Sequence, residues 1–293
     1  MGKFSKALEK SGLGSPGEEE QISALEPGAE ASAVLENAGS ERTAKPGKKI
    51  RQPSGGWDSR LTQATSFSAE SAESFRVLRS RILFPDDGVQ TCKTIMVTST
   101  AIGEGKTFVA ANLGIALAQG VDQRSLLVDC DLRRPTLALL FGLPQQKGLA
   151  DFLKSGTDLA ELILKTSVDK LTLLPSGRPP VNPSELLGSA KMDGLVREMA
   201  ARYDDRFIIF DTPPVLAASE ALVLSQKVDG VVLVVRQGAS GRSQIKRIVE
   251  LIGQEKIIGI VFNGYIRSYL EDRVLGQYAY YGDYDKPVEP ARG

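Results

Sequence analysis

No histidine occurs anywhere in the 293-residue chain, which excludes imidazole acid–base catalysis and imidazole metal ligation. Cysteine is nearly as scarce. Cys92 and Cys130 form no metal-binding or redox spacing and point to a reducing compartment. Net charge is missing as well: 36 basic residues balance 36 acidic ones, so nothing pulls the chain toward nucleic acid and no nucleic-acid partner is expected. No apolar run approaches the roughly 20 residues that span a bilayer. The opening residues, Met1-Gly-Lys-Phe-Ser-Lys6, are not a secretory signal, and Lys6 occupies the Ser/Thr position of the myristoylation pattern. These absences predict a cytoplasmic protein whose membrane association requires a partner.

Large apolar residues are sparse over residues 1–67, which are rich in Gly, Ser, Ala, Glu and Pro. Such a segment buries too little surface to offset its ordering entropy and reads as largely disordered. Phe4, Ala7 and Leu8 would share one face of a short helix, and a frayed terminus is the plainer reading. Arg42, Lys45, Lys48, Lys49 and Arg51 form a basic patch, read as a solvated linker in preference to an anionic-lipid contact.

Order is expected from about Ser68, a good helix N-cap residue followed by acids in the first turn. Apolar runs at Thr94–Thr98, Ser125–Asp129, Leu171–Leu174, Phe207–Asp211, Gly230–Val235 and Ile257–Phe262 predict strands. Most are continuous rather than alternating, the mark of parallel strands buried on both faces. Helical patterns lie between them, as at Lys106–Gln119 before Gly120. The fold class is therefore α/β: a doubly wound, mostly parallel sheet with helices on both faces. Its ligand belongs at the C-terminal ends of the strands. Residues 68–264 form the expected domain, and 265–293 a flexible, tyrosine-rich tail.

Three motifs sit at those strand ends. Strand Thr94–Thr98 runs into Ser99-Thr-Ala-Ile-Gly-Glu-Gly-Lys-Thr107 and then a helix. Glycines let backbone N–H groups close around phosphate oxygens, and a helix N-terminus adds positive potential. The nucleotide-binding candidates here are Ile102, Gly103, Glu104, Gly105, Lys106, Thr107 and Phe108. Lys106 would reach the outer phosphates and Thr107 would ligate Mg²⁺. Thr100 replaces the usual leading glycine. The second motif is Leu126-Leu-Val-Asp-Cys-Asp-Leu-Arg-Arg134, where Asp129 and Asp131 leave a buried strand. Carboxylates there bind Mg²⁺ or accept a hydroxyl proton, and Arg133 and Arg134 either contact phosphate or pair with the acids. Cys130 reads as a packed thiol. The third is Asp211, before Thr212-Pro-Pro214, the expected second metal-positioning acid.

The tail holds six of the seven tyrosines, four of them in Gln277-Tyr-Ala-Tyr-Tyr-Gly-Asp-Tyr284. Aromatic docking and phosphate acceptance both remain open on residues alone.

Together these motifs resemble the bacterial tyrosine kinases of capsule and exopolysaccharide export, over about Ser68 to Tyr284. The loop corresponds to that family's Walker A motif, Leu126–Arg133 to its Walker A′ pattern and Ile208–Pro214 to its Walker B pattern. Asn182-Pro-Ser-Glu-Leu-Leu187 and Glu73-x-x-Arg76-x-x-Arg79 also match, and Glu220 stands where the family has Asp. The resemblance implies a P-loop NTPase of the ParA/MinD-like class that uses ATP and Mg²⁺. It implies catalytic roles for Lys106, Asp129, Asp131 and Asp211, with Mg²⁺ on Thr107, Asp131 and Asp211. Arg133 and Asn263 join the nucleotide site, and Tyr278, Tyr280, Tyr281 and Tyr284 are the phosphoacceptors. It further implies a ring-like homo-oligomer built through Glu73, Arg76 and Arg79. Its other expected partners are the cytoplasmic segment of a membrane chain-length regulator (a polysaccharide co-polymerase) and a protein tyrosine phosphatase. The alternatives are a ParA/MinD-like positioning ATPase, which usually carries an extra lysine early in the loop, and a nucleotide-sensing scaffold.

Overall fold

A computed structural model of the protein describes residues 56–61, 70–85, 91–202 and 206–265. The Phe4–Leu8 helix, the basic patch and the tail tyrosines from Tyr269 onward lie outside the described residues. The elements are α1 (Glu70–Leu83), β1 (Thr94–Ser99), α2 (Lys106–Ala118), β2 (Arg124–Asp129), α3 (Leu137–Leu140), α4 (Leu149–Ser155), α5 (Leu159–Leu162), β3 (Leu164–Lys165) and β4 (Leu171–Leu174). There follow α6 (Pro183–Leu187), α7 (Ala190–Arg202), β5 (Arg206–Asp211), α8 (Ser219–Ser225), β6 (Gly230–Arg236), α9 (Arg242–Ile252) and β7 (Ile257–Asn263).

Seven strands form one sheet in the order β3-β4-β2-β5-β1-β6-β7. Every pairing is parallel except β3 with β4. The six expected strands all appear, each within a residue of its predicted bounds. The two-residue β3 was not expected, because it is too short to carry a pattern. Successive residues of one strand feed opposite cores. Met96, Ile208, Phe210 and Leu233 pack with α4, α7, α8 and α9, while Ile95, Val97, Ile209 and Val232 pack with α1 and α2. This two-sided burial explains why the strands read as continuous apolar runs.

The register places the chemistry. Asp129 on β2 stands opposite Asp211 on β5, and Asp211 stands opposite Val97 on β1, just before the glycine loop. β1, β2 and β5 are neighbours, so their C-terminal ends open onto one place.

One stretch departs from the expected linker. Residues 56–61 pack against the domain. Leu61 is completely buried, the Trp57 ring meets Phe141 edge-on at 5.7 Å, and the Asp58 amide donates to the Leu140 carbonyl at 2.9 Å. Trp57 Nε1 also donates to Ser167 Oγ at 2.7 Å. The apolar area of one Trp and one Leu anchors a segment whose average composition is polar.

Candidate nucleotide and phosphoryl-transfer site

The glycine loop has the backbone that phosphate binding needs. Gly103 and Gly105 have φ of 86° and 92°, a region that side-chain-bearing residues rarely occupy. Gly105 also lies so close to Asn263 that a side chain there would collide with it. α2 begins immediately at Lys106, so the loop amides and the helix N-terminus face the same space.

The Glu104 side chain points away from that space. It is buried, and its carboxylate accepts from the amides of Thr100 at 2.7 Å and Ala101 at 2.8 Å and from the Ser240 hydroxyl at 2.7 Å. The Thr100 hydroxyl adds a bond at 2.6 Å and a second short contact to Ser240. Burial works against the Glu104 charge, but these donors prevail and hold its carboxyl below the usual range. Thr100 therefore replaces the customary glycine for a reason: its hydroxyl is part of the brace. Asn263, expected at the nucleotide base, donates through Nδ2 to the Glu104 carbonyl at 2.7 Å, which supports the loop from behind.

Three acids and a lysine occupy the strand ends. Lys106 Nζ lies 2.8 Å from Asp131 Oδ2, and both side chains are nearly buried. Burial works against the Lys106 charge, yet Asp211, Asp131 and Asp129 outweigh it and hold the ammonium above the usual lysine range. Asp129 accepts from the amides of Asp131 and Leu137, each at 3.2 Å. Burial, reinforced by Asp211, pushes its carboxyl well up.

Asp211 is different. It is fully buried, and neither side-chain oxygen has a hydrogen-bond partner. The Thr107 hydroxyl is near enough to favour its charge but does not meet hydrogen-bond geometry, so the oxygens stand orphaned. Burial pushes this carboxyl up to about 6, against the pull of Lys106. Cys130, between the acids, is completely buried and its thiol is pushed well up by burial, as suits a packed residue.

A cavity of about 570 Å³ unites these parts. The sequence-predicted Ile102, Gly103, Gly105, Lys106, Thr107, Phe108, Asp131 and Arg133 all line it. The predicted Asp129, Asp211, Glu104 and Asn263 do not line it. Arg133 is held at the rim by Glu220, with Nε 2.8 Å from Oε1, and by Ser184 Oγ at 3.1 Å from Nη2. Ser184 in turn donates to Glu220 Oε2 at 2.8 Å. The Asn182–Leu187 match and the Glu220 departure thus meet in one bracket around Arg133. The glutamate keeps the carboxylate that this bracket requires.

Sequence reasoning missed Arg60, Thr136 and Leu140, which line the same cavity. The available signal was the chain's only tryptophan, Trp57, three residues before Arg60 in an otherwise polar stretch.

The expected oligomer contacts lie elsewhere, on α1. Arg76 pairs with Glu73 of the same helix at 2.6 Å, and Arg79 Nη1 donates to the Ala116 carbonyl of α2 at 3.1 Å.

Fold and site together define a nucleotide-binding P-loop protein, and residues 95–279 match the CobQ/CobB/MinD/ParA nucleotide-binding domain family. The cell-division ATPase MinD of Pyrococcus furiosus shares the fold, with a TM-score of 0.51 and 25% identity over 60% of this chain and 74% of that one. Closer likenesses are kinases. Tyrosine-protein kinase YwqD of Bacillus subtilis is 36% identical over 217 residues, 73% of this chain and 88% of that protein. The putative tyrosine-protein kinase CapB of Staphylococcus aureus is 32% identical over 72% of this chain and 90% of its own. The chimerical protein CapA2B2 superposes with a TM-score of 0.65 at 34% identity, over 72% of this chain and 92% of that chain. The chain belongs to the bacterial tyrosine-protein kinase family, and it is a protein-tyrosine kinase. No helix among the described residues is long and apolar enough to cross a membrane.

Proposed function

We propose that this kinase transfers the γ-phosphoryl group of ATP to its own tail tyrosines, Tyr278, Tyr280, Tyr281 and Tyr284. One copy's tail enters a neighbour's site within a ring-like homo-oligomer. The cycle regulates the polymerisation and export of an exopolysaccharide or capsule, at the inner face of the plasma membrane. The partners are the cytoplasmic segment of a membrane chain-length regulator, which activates the kinase, and a phosphatase that resets it.

The observation that carries this reading is the orphaned Asp211 carboxylate beside the Lys106–Asp131 pair. A buried, unpartnered carboxylate is costly unless a ligand uses it. No group of three His, Cys, Asp or Glu residues fit to hold a metal ion occurs among the described residues. Mg²⁺ takes one or two carboxylates and completes its shell with water and substrate phosphates. Thr107, Asp131 and Asp211 would hold the ion, which when bound neutralises charge developing on the phosphate oxygens.

The chain's own residues do the rest. The loop amides and Lys106 fix the phosphates against the N-terminus of α2. Asp129 takes the tyrosine hydroxyl proton, and its raised proton affinity fits that task. The phenolic oxygen forms the new P–O bond as the bond to the bridging oxygen breaks, and ADP leaves with that electron pair.

The test is intact mass of the purified chain with ATP and Mg²⁺, with and without the cytoplasmic peptide of a candidate membrane partner, while ADP release is followed. Several added phosphates, lost in Lys106→Met and in a chain ending at Arg273, are expected. ADP release without added mass would instead indicate a positioning ATPase.

A further inference from the structure

We infer that residues 56–61 hold Arg60 on the acceptor side of the kinase site, and that Arg60 is a specificity-determining residue for Asp283 and Asp285 of the tyrosine tail. The inference rests on the tail being the acceptor.

The segment is built in, not incidental. Its three anchors are independent: the buried Leu61, the Trp57–Phe141 ring contact and the Asp58-to-Leu140 backbone bond. A fourth feature is a close approach. Gly142, at φ 66°, has no side chain, and a Cβ there would lie 2.6 Å from the Gly56 carbonyl oxygen. The segment lies outside the matched nucleotide-binding domain, which begins at residue 95.

Its position relative to the chemistry identifies its ligand. Arg60 lines the cavity together with Thr136 and Leu140, opposite in role to the glycine loop that holds phosphates. Leu137, between those two residues, donates its amide to Asp129, the proposed proton acceptor. A tyrosine hydroxyl reaching Asp129 past Leu137 would pass Arg60, Thr136 and Leu140. Arg60 is pre-oriented there: Asp58 grips Nε and Nη2, each at 2.9 Å, leaving the Nη1 edge for a ligand. Its side chain remains 70% exposed, as befits a rim charge and not a buried phosphate ligand. The cavity lining carries Arg60, Lys106, Arg133 and Arg134 with Asp131, and Asp58 and Glu220 brace two of these cations from outside the lining. The acceptor segment, Gln277-Tyr-Ala-Tyr-Tyr-Gly-Asp-Tyr284, is flanked by Asp285 and Lys286 and places Asp283 and Asp285 on either side of Tyr284. Each phosphate gained adds about −1.5 to −2 charge at neutral pH, so the attraction grows as the tail is modified.

The experiment uses full-length chains. Wild-type and Arg60→Ala kinases receive ATP, Mg²⁺ and increasing amounts of a mass-tagged Lys106→Met chain as acceptor. Intact mass counts phosphates on the acceptor, and ATP is varied separately. Arg60→Ala should raise the apparent KM for acceptor about five-fold, the scale of one exposed charged contact, with KM for ATP unchanged. An acceptor carrying Asp283→Asn and Asp285→Asn should show the same rise with wild-type kinase and no further rise with Arg60→Ala. Both effects should shrink at high salt. A rise in KM for ATP alone would make Arg60 a nucleotide contact and overturn the inference. Unchanged kinetics in both dimensions would reduce the segment to packing and overturn the inference as well. If wild-type kinase places no phosphate on the acceptor, the tail-acceptor reading itself fails, a result distinct from the other two.

Discussion

Glu104, inside the phosphate loop, and Asp211, paired across the sheet with Val97 on the strand that leads into it, are both buried carboxylates built in opposite ways. Glu104 is surrounded by three amides and two hydroxyls, and its carboxyl is held low. Asp211 has no hydrogen-bond partner, and its carboxyl is pushed up to about 6. Burial is common to the two; satisfaction is not. A saturated buried acid shapes the backbone, whereas an orphaned one is held ready for a ligand that is charged enough to justify it. The contrast separates the scaffold of this site from its reacting part.

The largest effect should come from Lys106→Met, which removes the cation facing all three acids. Phosphotyrosine formation should fall at least about 1,000-fold, the scale of a lost transition-state charge contact, while the fold survives as judged by circular dichroism. Asp211→Asn tests the orphan directly. Kinase activity should fall about 100-fold or more. The apo chain should nevertheless gain roughly 1–3 kcal/mol at pH 7.5, because an unpaired buried charge is gone. A melting temperature that drops instead would show that Asp211 is part of the scaffold.

Glu104→Ala should do the reverse in stability. It orphans buried donors and is expected to cost about 3 kcal/mol by urea unfolding, with KM for ATP raised because the loop loses its shape. Were Glu104→Ala as stable as wild type, the two acids would not differ as described.

The pH dependence sharpens the same comparison. Asp211 has a raised pKa in the fold, so its contribution to apo stability is fully present below about pH 4 and is lost as pH rises through about 6. A shift from 3.8 to about 6 corresponds to about 3 kcal/mol. Glu104 and Glu220 have lowered pKa values, so their contribution is present above about pH 4.5, the ordinary glutamate value, and is lost below it. Subtracting the Asp211→Asn stability profile from wild type should isolate the first window. Mg²⁺-dependent nucleotide affinity should rise across that window, since binding requires the ionised acid.

The smallest expected effect concerns α1. Arg79→Ala should cost about 1 kcal/mol of stability by removing its bond to the Ala116 carbonyl, and leave the assembled mass unchanged. Arg76→Ala should change assembled mass with little loss of stability, measured by analytical ultracentrifugation.

Much of this was legible in the residues. The six main strands announced themselves because burial on both faces removes polar alternation, and Lys106, Asp131 and Arg133 fell at the cavity as expected. Legibility failed where one side chain's role depends on a partner far along the chain. Glu104 sits inside a nucleotide-binding motif, yet its carboxylate bonds Ser240, 136 residues away. Asn263, expected at the nucleotide site, also supports the loop through a bond spanning 159 residues, which its local sequence does not show. Trp57 and Arg60 were hidden by the average polarity of their segment, although a lone tryptophan there was a sign of docking.

By itself the sequence determined the doubly wound class, the loop, the order of the acidic strand ends and the tyrosine kinase resemblance. Those features depend on local spacing and periodicity, which short stretches encode completely. Only the tertiary structure decided which buried acid is satisfied and which is orphaned, that Arg79 reaches the Ala116 carbonyl while Arg76 pairs with Glu73 of its own helix, and that Arg60 lines the cavity. Each of those outcomes depends on the donors and apolar surfaces that distant strands bring within a few ångströms, and no local pattern specifies them.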